Sequence, residues 1–368
     1  MPMKKLSKFS YFLLFLWILA AGAYLRLVGL DWDEEQHLHP DERFLTMVES
    51  SIEPVQSLGE YFDTANSSLN PHNRGHGFFV YGTLPIFIVR YVADWLGDSG
   101  YGEVYLVGRA LSALADLAVI WLIFLIAERL YTRKIGVLAA AFYGFAVLPI
   151  QQSHFFTVDT FINFFTFLAF YFAVEVATAD GGPKTEDRDN ISPSPVPGLP
   201  SYLLFGVALG LAVASKISAI PVALALPGAA ALYFLRLPIE ERQRQAGRIF
   251  SYVAIAGLVS ILTFRIFQPY AFSGPGFFGM LPNPQWVENL KSLSAQTSGD
   301  VDYPPALQWA RRPVWFSWQN LTVWGLGLPL GVLAWAGFLW MAWRMIKGEW
   351  RRHILLWGWT TIYFVWQT

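Results

Sequence analysis

The sequence contains no cysteine, so it can form no disulfide and supplies no thiolate nucleophile. Charged residues are also scarce, at 14% of 368 residues, whereas a soluble chain carries about a quarter. A Gly-rich Lys loop for nucleotide phosphates is absent, as is the Gly-x-Ser-x-Gly elbow of serine hydrolases. These absences exclude cysteine catalysis and argue against a soluble nucleotide-binding or hydrolase domain.

Hydrophobic residues make up 54% of the chain, and they cluster in runs about long enough to cross a bilayer. This predicts an all-α polytopic membrane protein with about nine transmembrane helices. The run 9–30 is longer than the apolar core of a signal peptide, so we interpret it as a retained helix. The predicted spans are residues 9–30, 104–128, 135–151, 157–178, 201–215, 217–236, 249–268, 321–345 and 353–368.

Lys and Arg residues predict the orientation of these spans. If the N-terminus is cytoplasmic, most of them fall in cytoplasmic segments, as the positive-inside rule requires. We therefore expect an integral, multi-pass protein of the plasma (inner) membrane, with a minority of cations outside. The net charge of −1 and the lack of a basic patch interleaved with aromatic residues predict no nucleic-acid partner.

Residues 1–368 are predicted to form a single transmembrane domain. Three segments stand outside its spans: an extracytoplasmic loop at 31–103, a cytoplasmic linker at 179–200 and a second extracytoplasmic loop at 269–320. Within the first loop, the apolar stretch from Phe78 to Trp95 predicts a helix lying along the membrane surface. The chain ends inside an apolar run at Thr368, which predicts a C-terminally incomplete protein.

The first loop begins with a crowd of ionisable side chains. They are Asp31, Asp33, Glu34, Glu35, His37, His39, Asp41 and Glu42. One interpretation is a catalytic carboxylate, because a carboxylate can take the proton from a hydroxyl as that hydroxyl attacks. The alternative is that Pro40, Asp41 and Glu42 simply begin a surface helix, where proline and acids are favoured. The residues alone support both interpretations equally.

A second acidic position, Asp159, lies where the third and fourth spans meet on the same predicted side. An ionisable residue at membrane depth suggests a function, although a carboxylate in a first helical turn also stabilises the helix dipole. Arg109 and Asp116 lie seven residues apart in the second span and therefore share a face. We expect a structural role for Asp116, and the role of Arg109 stays open.

Four cations, Lys216, Arg265, Arg311 and Arg312, lie outside near the ends of spans. They suit a phosphate at headgroup level, and the alternative is simple snorkelling to the interface. His37, His39 and His154 are candidate ligands for a divalent metal beside the carboxylates, although no strong metal motif is present. The alternative for these histidines is interfacial hydrogen bonding.

Taken in order, these motifs resemble the membrane glycosyltransferases of the C-type fold, in particular the protein O-mannosyltransferases and the lipid A aminoarabinose transferases. The resemblance covers the chain from Phe9 to about Lys216 and is looser afterwards. The motifs that carry it are Pro40-Asp41-Glu42-Arg43, Tyr81-Gly82-Thr83-Leu84-Pro85, Arg109 to Tyr131, Ser153 to Asp159 and Gly206 to Lys216.

The resemblance implies an enzyme that moves a sugar from a polyprenyl-phosphate carrier to an extracytoplasmic acceptor, which can be a protein, a lipid or a glycan. It implies Asp41 as the base of an inverting reaction, Glu42 as its neighbour and Asp159 as the second acid. The implied ligands of the lipid phosphate are Arg43, Arg109, Lys216, Arg265, Arg311 and Arg312. No cofactor other than the candidate metal is implied, and membrane lipids complete the expected partners.

The main alternative function is a multi-pass transporter or lipid flippase, and a non-enzymatic scaffold is a second. Transporters carry their polar residues along a path through the bilayer centre. In this sequence the ionisable residues gather at one surface, with Asp116 as the main exception. A scaffold has no need of an acidic cluster beside membrane-level cations, so the glycosyltransferase is favoured.

Overall fold

The computed structural model describes residues 7–179, 198–302, 304, 307, 310 and 312–367. Within these residues the chain is helical, with only one isolated bridge, between Phe272 and Pro282, and this confirms the predicted all-α class. Most of the predicted linker 179–200 lies outside the described residues, as does Arg311. The helices are α1 (Lys8–Leu27), α2 (Pro40–Ser51), α3 (Leu58–Tyr61), α4 (Thr83–Leu96), α5 (Val104–Leu130), α6 (Arg133–Gly144), α7 (Val147–Ser153), α8 (Val158–Ala177), α9 (Leu199–Ser215), α10 (Ala225–Arg236), α11 (Ile239–Phe267), α12 (Pro284–Ser298), α13 (Phe316–Asn320), α14 (Leu328–Arg344) and α15 (Trp350–Gln367).

Long apolar helices make the chain an integral membrane protein, as predicted. Within the described residues, six helical segments are long and apolar enough to cross a membrane, and the bent pair of α6 and α7 makes a seventh. The six segments are Lys8–Leu27, Val104–Leu130, Val158–Ala177, Ile217–Arg236, Ile239–Phe267 and Leu328–Val365. The Ile217–Arg236 segment begins as a 3-10 helix, Ile217–Leu224, and continues as α10.

The number of membrane-spanning segments differs from the predicted number of about nine for three reasons. Helix α9, at 17 residues, falls just short of a full span, and α6 and α7 are bent by 59°. The last two predicted spans fall largely within one run of 38 residues, Leu328–Val365. A straight helix of that length would measure about 57 Å, nearly twice the hydrocarbon thickness. Gly348, with a φ of 99°, interrupts the helical geometry between the two halves.

The surface helix predicted from Phe78 to Trp95 is α4, which begins five residues later than expected. Its inner face, including Ile86 and Val89, is fully buried, whereas Trp95 at its end is 82% exposed. One apolar face and one open face are what a helix lying on a bundle and at an interface requires.

Close packing joins α9 to α8 and α11. A Cβ added at Gly206 would lie 2.4 Å from the Ala256 carbonyl oxygen, and one at Gly210 would lie 2.5 Å from the Thr263 Cβ. Small residues four apart allow two helix backbones to approach in this way inside a membrane. The contact fixes the end of α9, at Ser215, beside the loops at residues 28–103 and 268–302. We call this end of the bundle the loop end.

Candidate active site at the loop end of the bundle

Helix α2 begins on the acidic motif. The imidazole Nδ1 of His39 accepts a hydrogen bond from the Glu42 N–H at 3.4 Å, and Pro40 occupies the first turn. Asp41 and Glu42 therefore do lie where acids favour a helix start. Their surroundings are nevertheless opposite, because Asp41 is half-buried and Glu42 is fully buried.

Glu42 and Arg109 form an ion pair that is wholly removed from solvent. The Arg109 Nε donates to Glu42 Oε2 at 2.9 Å, and the Phe156 N–H donates to the same oxygen at 2.6 Å. A second carboxylate, Asp33, accepts from Arg109 Nη2 at 2.9 Å. The pair thus joins the start of α2 to α5 and to the segment before α8. Because each Arg109 nitrogen donates to protein, counting its bond to the Leu30 carbonyl, the guanidinium is not offered to a phosphate.

Asp33 is held in its ionised form by the same cluster. Burial acts to raise its pKa, but the Leu38 N–H and the Arg109 guanidinium outweigh burial and lower the pKa below its usual value. The rings of Trp32 and Tyr105 lie 5.3 Å and 4.7 Å from the Arg109 guanidinium carbon. Two carboxylates and two rings therefore surround one cation, which is the composition of a structural clamp.

Asp159 and Lys216 form a different kind of pair. The Lys216 Nζ lies 2.7 Å from Asp159 Oδ1, and their side chains are 36% and 41% exposed. Asp159 lies in the first turn of α8, and Lys216 lies at the extended break between α9 and the following 3-10 helix. Both groups can therefore meet a bound molecule without losing their place in the fold.

A cavity of about 1040 Å³ opens beside this pair. Asp159 and Lys216 line it, and most of its other lining comes from apolar side chains of α5 to α8, the 3-10 helix, α14 and α15. The lining of α8 runs from Asp159 to Phe167, a rise of about 12 Å along the helix. The rest of the lining is mostly apolar, although it also includes Asp116 and the amide of Asn163. An ion pair beside a mostly apolar lining suits an amphiphile with a charged head and a long tail.

Tyr81 packs beside helix α2, which carries Asp41. Its ring centroid lies 5.9 Å from those of Phe44 and Phe79. Burial raises the pKa of its hydroxyl, and the negative charges of Asp41 and Asp159 raise that pKa further.

Three other cations that the sequence predicts as phosphate ligands contact residues close to them in the chain. Each Arg265 nitrogen donates to a backbone carbonyl, those of Phe277, Pro269 and Gly276, at 2.9, 3.1 and 2.6 Å. Arg43 is exposed, and its Nε donates to the His37 carbonyl at 3.0 Å. The guanidinium carbon of Arg312 lies 4.1 Å from the centroid of the Phe316 ring. Among the predicted phosphate ligands that the structure describes, Lys216 is therefore the one that lines the cavity.

The three candidate metal ligands do not come together as a metal site. The His37 ring packs on Tyr101 and Tyr105, and the His39 ring stacks on Phe155 with centroids 4.3 Å apart. Both His154 nitrogens lie within hydrogen-bond distance of backbone carbonyls. Across the part of the chain that the structure describes, no three His, Asp or Glu side chains form a metal-binding group. These residues do not fit the divalent metal considered above.

Two features of the structure escaped the sequence reasoning. Arg26 of α1 pairs with Asp116 at 2.6 Å, and the Tyr143 hydroxyl donates to the same carboxylate at 2.5 Å. This pair agrees with the expected structural role of Asp116, and an arginine at membrane depth in α1 was the available signal. The packing of Tyr81 on Phe44 of α2 had no such signal, because the two residues lie 37 positions apart in the chain.

Comparisons with known proteins concern the sequence pattern and the fold of the chain. Residues 89–267 match the family model "Dolichyl-phosphate-mannose-protein mannosyltransferase". The match starts within α4 and ends with α11, so it includes Asp159 and Lys216 but not Asp41. No curated protein matches the chain significantly.

Solved structures match nearly the whole chain at low identity. The apo oligosaccharyltransferase of Archaeoglobus fulgidus has a TM-score of 0.55 at 14% identity, over 98% of this chain and 48% of that one. The same protein tethered to an acceptor peptide with the NVT sequon scores 0.58 at 12%, over 98% and 47%. The S. cerevisiae Pmt1-Pmt2 protein O-mannosyltransferase complex bound to the sugar donor scores 0.48 at 17%, over 75% and 36%. The chain spans about half the length of the archaeal enzyme.

The structure therefore has the fold of the membrane glycosyltransferases of the C-type fold, and the resemblance predicted from the sequence is confirmed. Over residues 89–267 it also carries the sequence pattern of the dolichyl-phosphate-mannose-protein mannosyltransferases.

Proposed function

We propose that this protein is a membrane glycosyltransferase that moves a sugar from a polyprenyl-phosphate carrier to an acceptor hydroxyl or amide. The observation that carries the proposal is the apolar cavity of about 1040 Å³ with the Asp159–Lys216 pair on its lining. The family description supports mannose as the sugar and a protein as the acceptor. The acceptor peptide named for the archaeal oligosaccharyltransferase supports a protein acceptor as well.

In the proposed reaction, the acceptor attacks the anomeric carbon from the face opposite the phosphate. A new bond forms from the acceptor atom to this carbon, the carbon–oxygen bond to the phosphate breaks, and polyprenyl phosphate leaves with the electron pair. Asp41 takes the proton that the acceptor loses. Attack from the opposite face inverts the anomeric configuration.

Lys216 has the complementary role in this proposal. The leaving phosphate gains a negative charge as its bond to the sugar breaks, and a fixed ammonium beside it lowers the barrier. Asp159 holds that ammonium at 2.7 Å, so its own role is to orient Lys216 at the cavity. The carrier's isoprenoid chain occupies the apolar part of the cavity, where burial of apolar surface stabilises binding.

The proposal also includes the setting of the site. The distribution of Lys and Arg supports a cytoplasmic N-terminus in a plasma (inner) membrane, with the loop end facing away from the cytoplasm. Donor lipid then enters the cavity from the membrane, and the acceptor approaches Asp41 from the aqueous side.

A transfer assay tests the function directly. The purified chain in lipid nanodiscs is incubated with polyprenyl-phosphate-linked mannose, glucose or a pentose and with an acceptor peptide, with and without a chelator. We expect transfer of one of these sugars, loss of more than about 99% of it in Asp41→Asn, and no effect of the chelator. Asp98→Asn, an exposed acid of the same loop, is the matched control. Full transfer by a folded Asp41→Asn protein excludes Asp41 as the base.

A further inference from the structure

A hairpin at residues 272–282 follows helix α11 and packs against it. The two arms of the hairpin meet where the Ser273 N–H donates to the Leu281 carbonyl at 2.8 Å. The Phe272 ring packs on that of Phe264, three residues before α11 ends, with the ring centroids 5.8 Å apart. The hairpin therefore begins beside the last turns of a long apolar helix.

Arg265, in the last turn of α11, holds the tip of this hairpin. Its Nε donates to the Phe277 carbonyl at 2.9 Å, and its Nη2 donates to the Gly276 carbonyl at 2.6 Å. The carbonyls of Phe278 and Gly279 accept hydrogen bonds from backbone N–H groups of the same hairpin. Each of these carbonyls is thus satisfied within the protein, which is what a backbone requires where water is scarce.

The side chains at the tip are apolar and open to their surroundings. Phe278 is 90% exposed, Leu281 is 76% exposed and Met280 is 38% exposed. The sequence between Arg265 and Glu288 contains no Asp, Glu, Lys or Arg. Exposed apolar side chains that are grouped in this way, on a segment without charge, mark a surface that contacts another apolar partner.

The partner of this surface follows from helix α11. The helix is long and apolar enough to cross a membrane, and its side chains Leu258, Ile261 and Ile266 are 57%, 55% and 39% exposed. Such a face of a membrane-spanning helix contacts lipid. Because the hairpin is bonded to the last turn of α11, its exposed side chains continue this lipid-facing surface to the level of the interface.

We propose that the hairpin at residues 272–282 is an interfacial anchor, in which Phe278 and Leu281 insert into the boundary between headgroups and acyl chains at the loop end of the bundle. Apolar side chains bind this boundary by burying their surface among the lipids. The Gly276 N–H donates to the Phe62 carbonyl at 3.1 Å, so the anchor also holds the first loop close to the membrane surface. This anchoring is independent of the transfer reaction.

The absence of cysteine from the sequence permits a direct test. Phe278→Cys and Leu281→Cys are each labelled with a nitroxide in the full chain in lipid nanodiscs. The accessibility of the label to oxygen, which concentrates in lipid, is compared with its accessibility to a water-soluble nickel chelate. Lys291→Cys, at an exposed position of α12, is the aqueous control, and Leu258→Cys, within α11, is the lipid reference. We expect the oxygen-to-nickel ratio at both hairpin positions to exceed that of the aqueous control at least about threefold.

Depth within the bilayer is the second measurement. A bimane fluorophore on the same cysteines is quenched by lipids that carry a nitroxide either near the headgroup or near the end of the acyl chain. We expect stronger quenching by the shallow nitroxide at Phe278→Cys and by the deep one at Leu258→Cys. A ratio at both hairpin positions equal to that of Lys291→Cys overturns the anchor. A label shielded from both oxygen and nickel also overturns it, because a protein partner or a second copy of the chain then covers the hairpin.

Discussion

The Lys216 ammonium and the Asp159 carboxylate meet at 2.7 Å on the lining of the cavity, in a pair that is open to solvent. The Glu42–Arg109 pair nearby has the same charges and is completely buried. The difference in exposure suits the two pairs to different roles. In a partly hydrated pair, one charged group can exchange its contact with the other for a contact with a ligand. Separating a buried pair costs much more free energy, because each charge is left without its partner.

Lys216→Met should weaken donor use without unfolding the protein. We expect the KM for the polyprenyl-phosphate sugar to rise at least about tenfold and kcat to fall, because the leaving phosphate loses its cation. Lys216→Arg should keep part of the activity, since it keeps the charge. Lys291→Met, at an exposed position of α12, is the control. Equal donor kinetics in Lys216→Met and the control would contradict the role.

Glu42→Gln should act on the fold. Breaking a buried ion pair from one side typically costs about 3 kcal/mol, because the remaining charge is left without its partner. We expect a clear drop in melting temperature in detergent together with the loss of transfer, whereas Asp41→Asn loses transfer alone. Glu53→Gln is the control, since Glu53 is 65% exposed in a surface pair with Arg74. An unchanged melting temperature in Glu42→Gln would refute a clamp at this position.

Gly82→Ala should disturb the close contact between the segment before α4 and the end of α9. The added methyl group meets the backbone of Ala214 and Ser215, which cannot move aside without shifting the end of α9. We expect transfer to fall at least about tenfold with a modest loss of stability, of about 1–3 kcal/mol. Gly77→Ala, where an added Cβ meets nothing within 4 Å, should stay close to the unaltered protein. Activity in Gly82→Ala equal to that control argues against a tight contact.

Glu49→Gln should stabilise the protein at alkaline pH. Glu49 is fully buried, its oxygens lack a hydrogen-bond partner among the described residues, and burial raises its pKa well above the usual value despite the Arg90 charge. Because its pKa is higher in the folded state than in the unfolded state, Glu49 contributes fully to stability at pH values below its unfolded-state pKa. This contribution is lost as the pH rises through the folded-state pKa.

The melting temperature of Glu49→Gln should accordingly exceed that of the unaltered chain by about 2 °C or more at pH 8, and match it near pH 4.5. Glu53→Gln, at an exposed position, is the control for the loss of a carboxylate. A difference that is the same at both pH values would refute a neutral, buried Glu49.

The sequence reasoning located the helices well because bilayer length and apolar periodicity are local properties. It also found the start of α2, Asp159 and Lys216, which lie at the ends of apolar runs. The cations could not be ranked from the sequence, because the burial and pairing that distinguish Arg109 from Lys216 are not visible in it. Arg109 is buried and paired with Glu42, which lies 67 residues away in the chain, and only the fold reveals this pairing.

The histidines also show that residues close together in the sequence need not form one site. His37 and His39 stand between carboxylates in the sequence, which suggested a metal. In the structure their rings turn toward Tyr101, Tyr105 and Phe155, so the stretch that is rich in ligands in one dimension is not a ligand set in three.

The cavity lining includes Trp359 and Tyr363 of α15, nearly 150 residues after Lys216. A nascent chain therefore holds Asp41, Asp159 and Lys216 long before this part of the lining exists. A chain that stops before Trp350 would keep all three of these groups and still leave the cavity without part of its lining. During biogenesis, this wall of the cavity can therefore form only after synthesis and membrane insertion have reached α15.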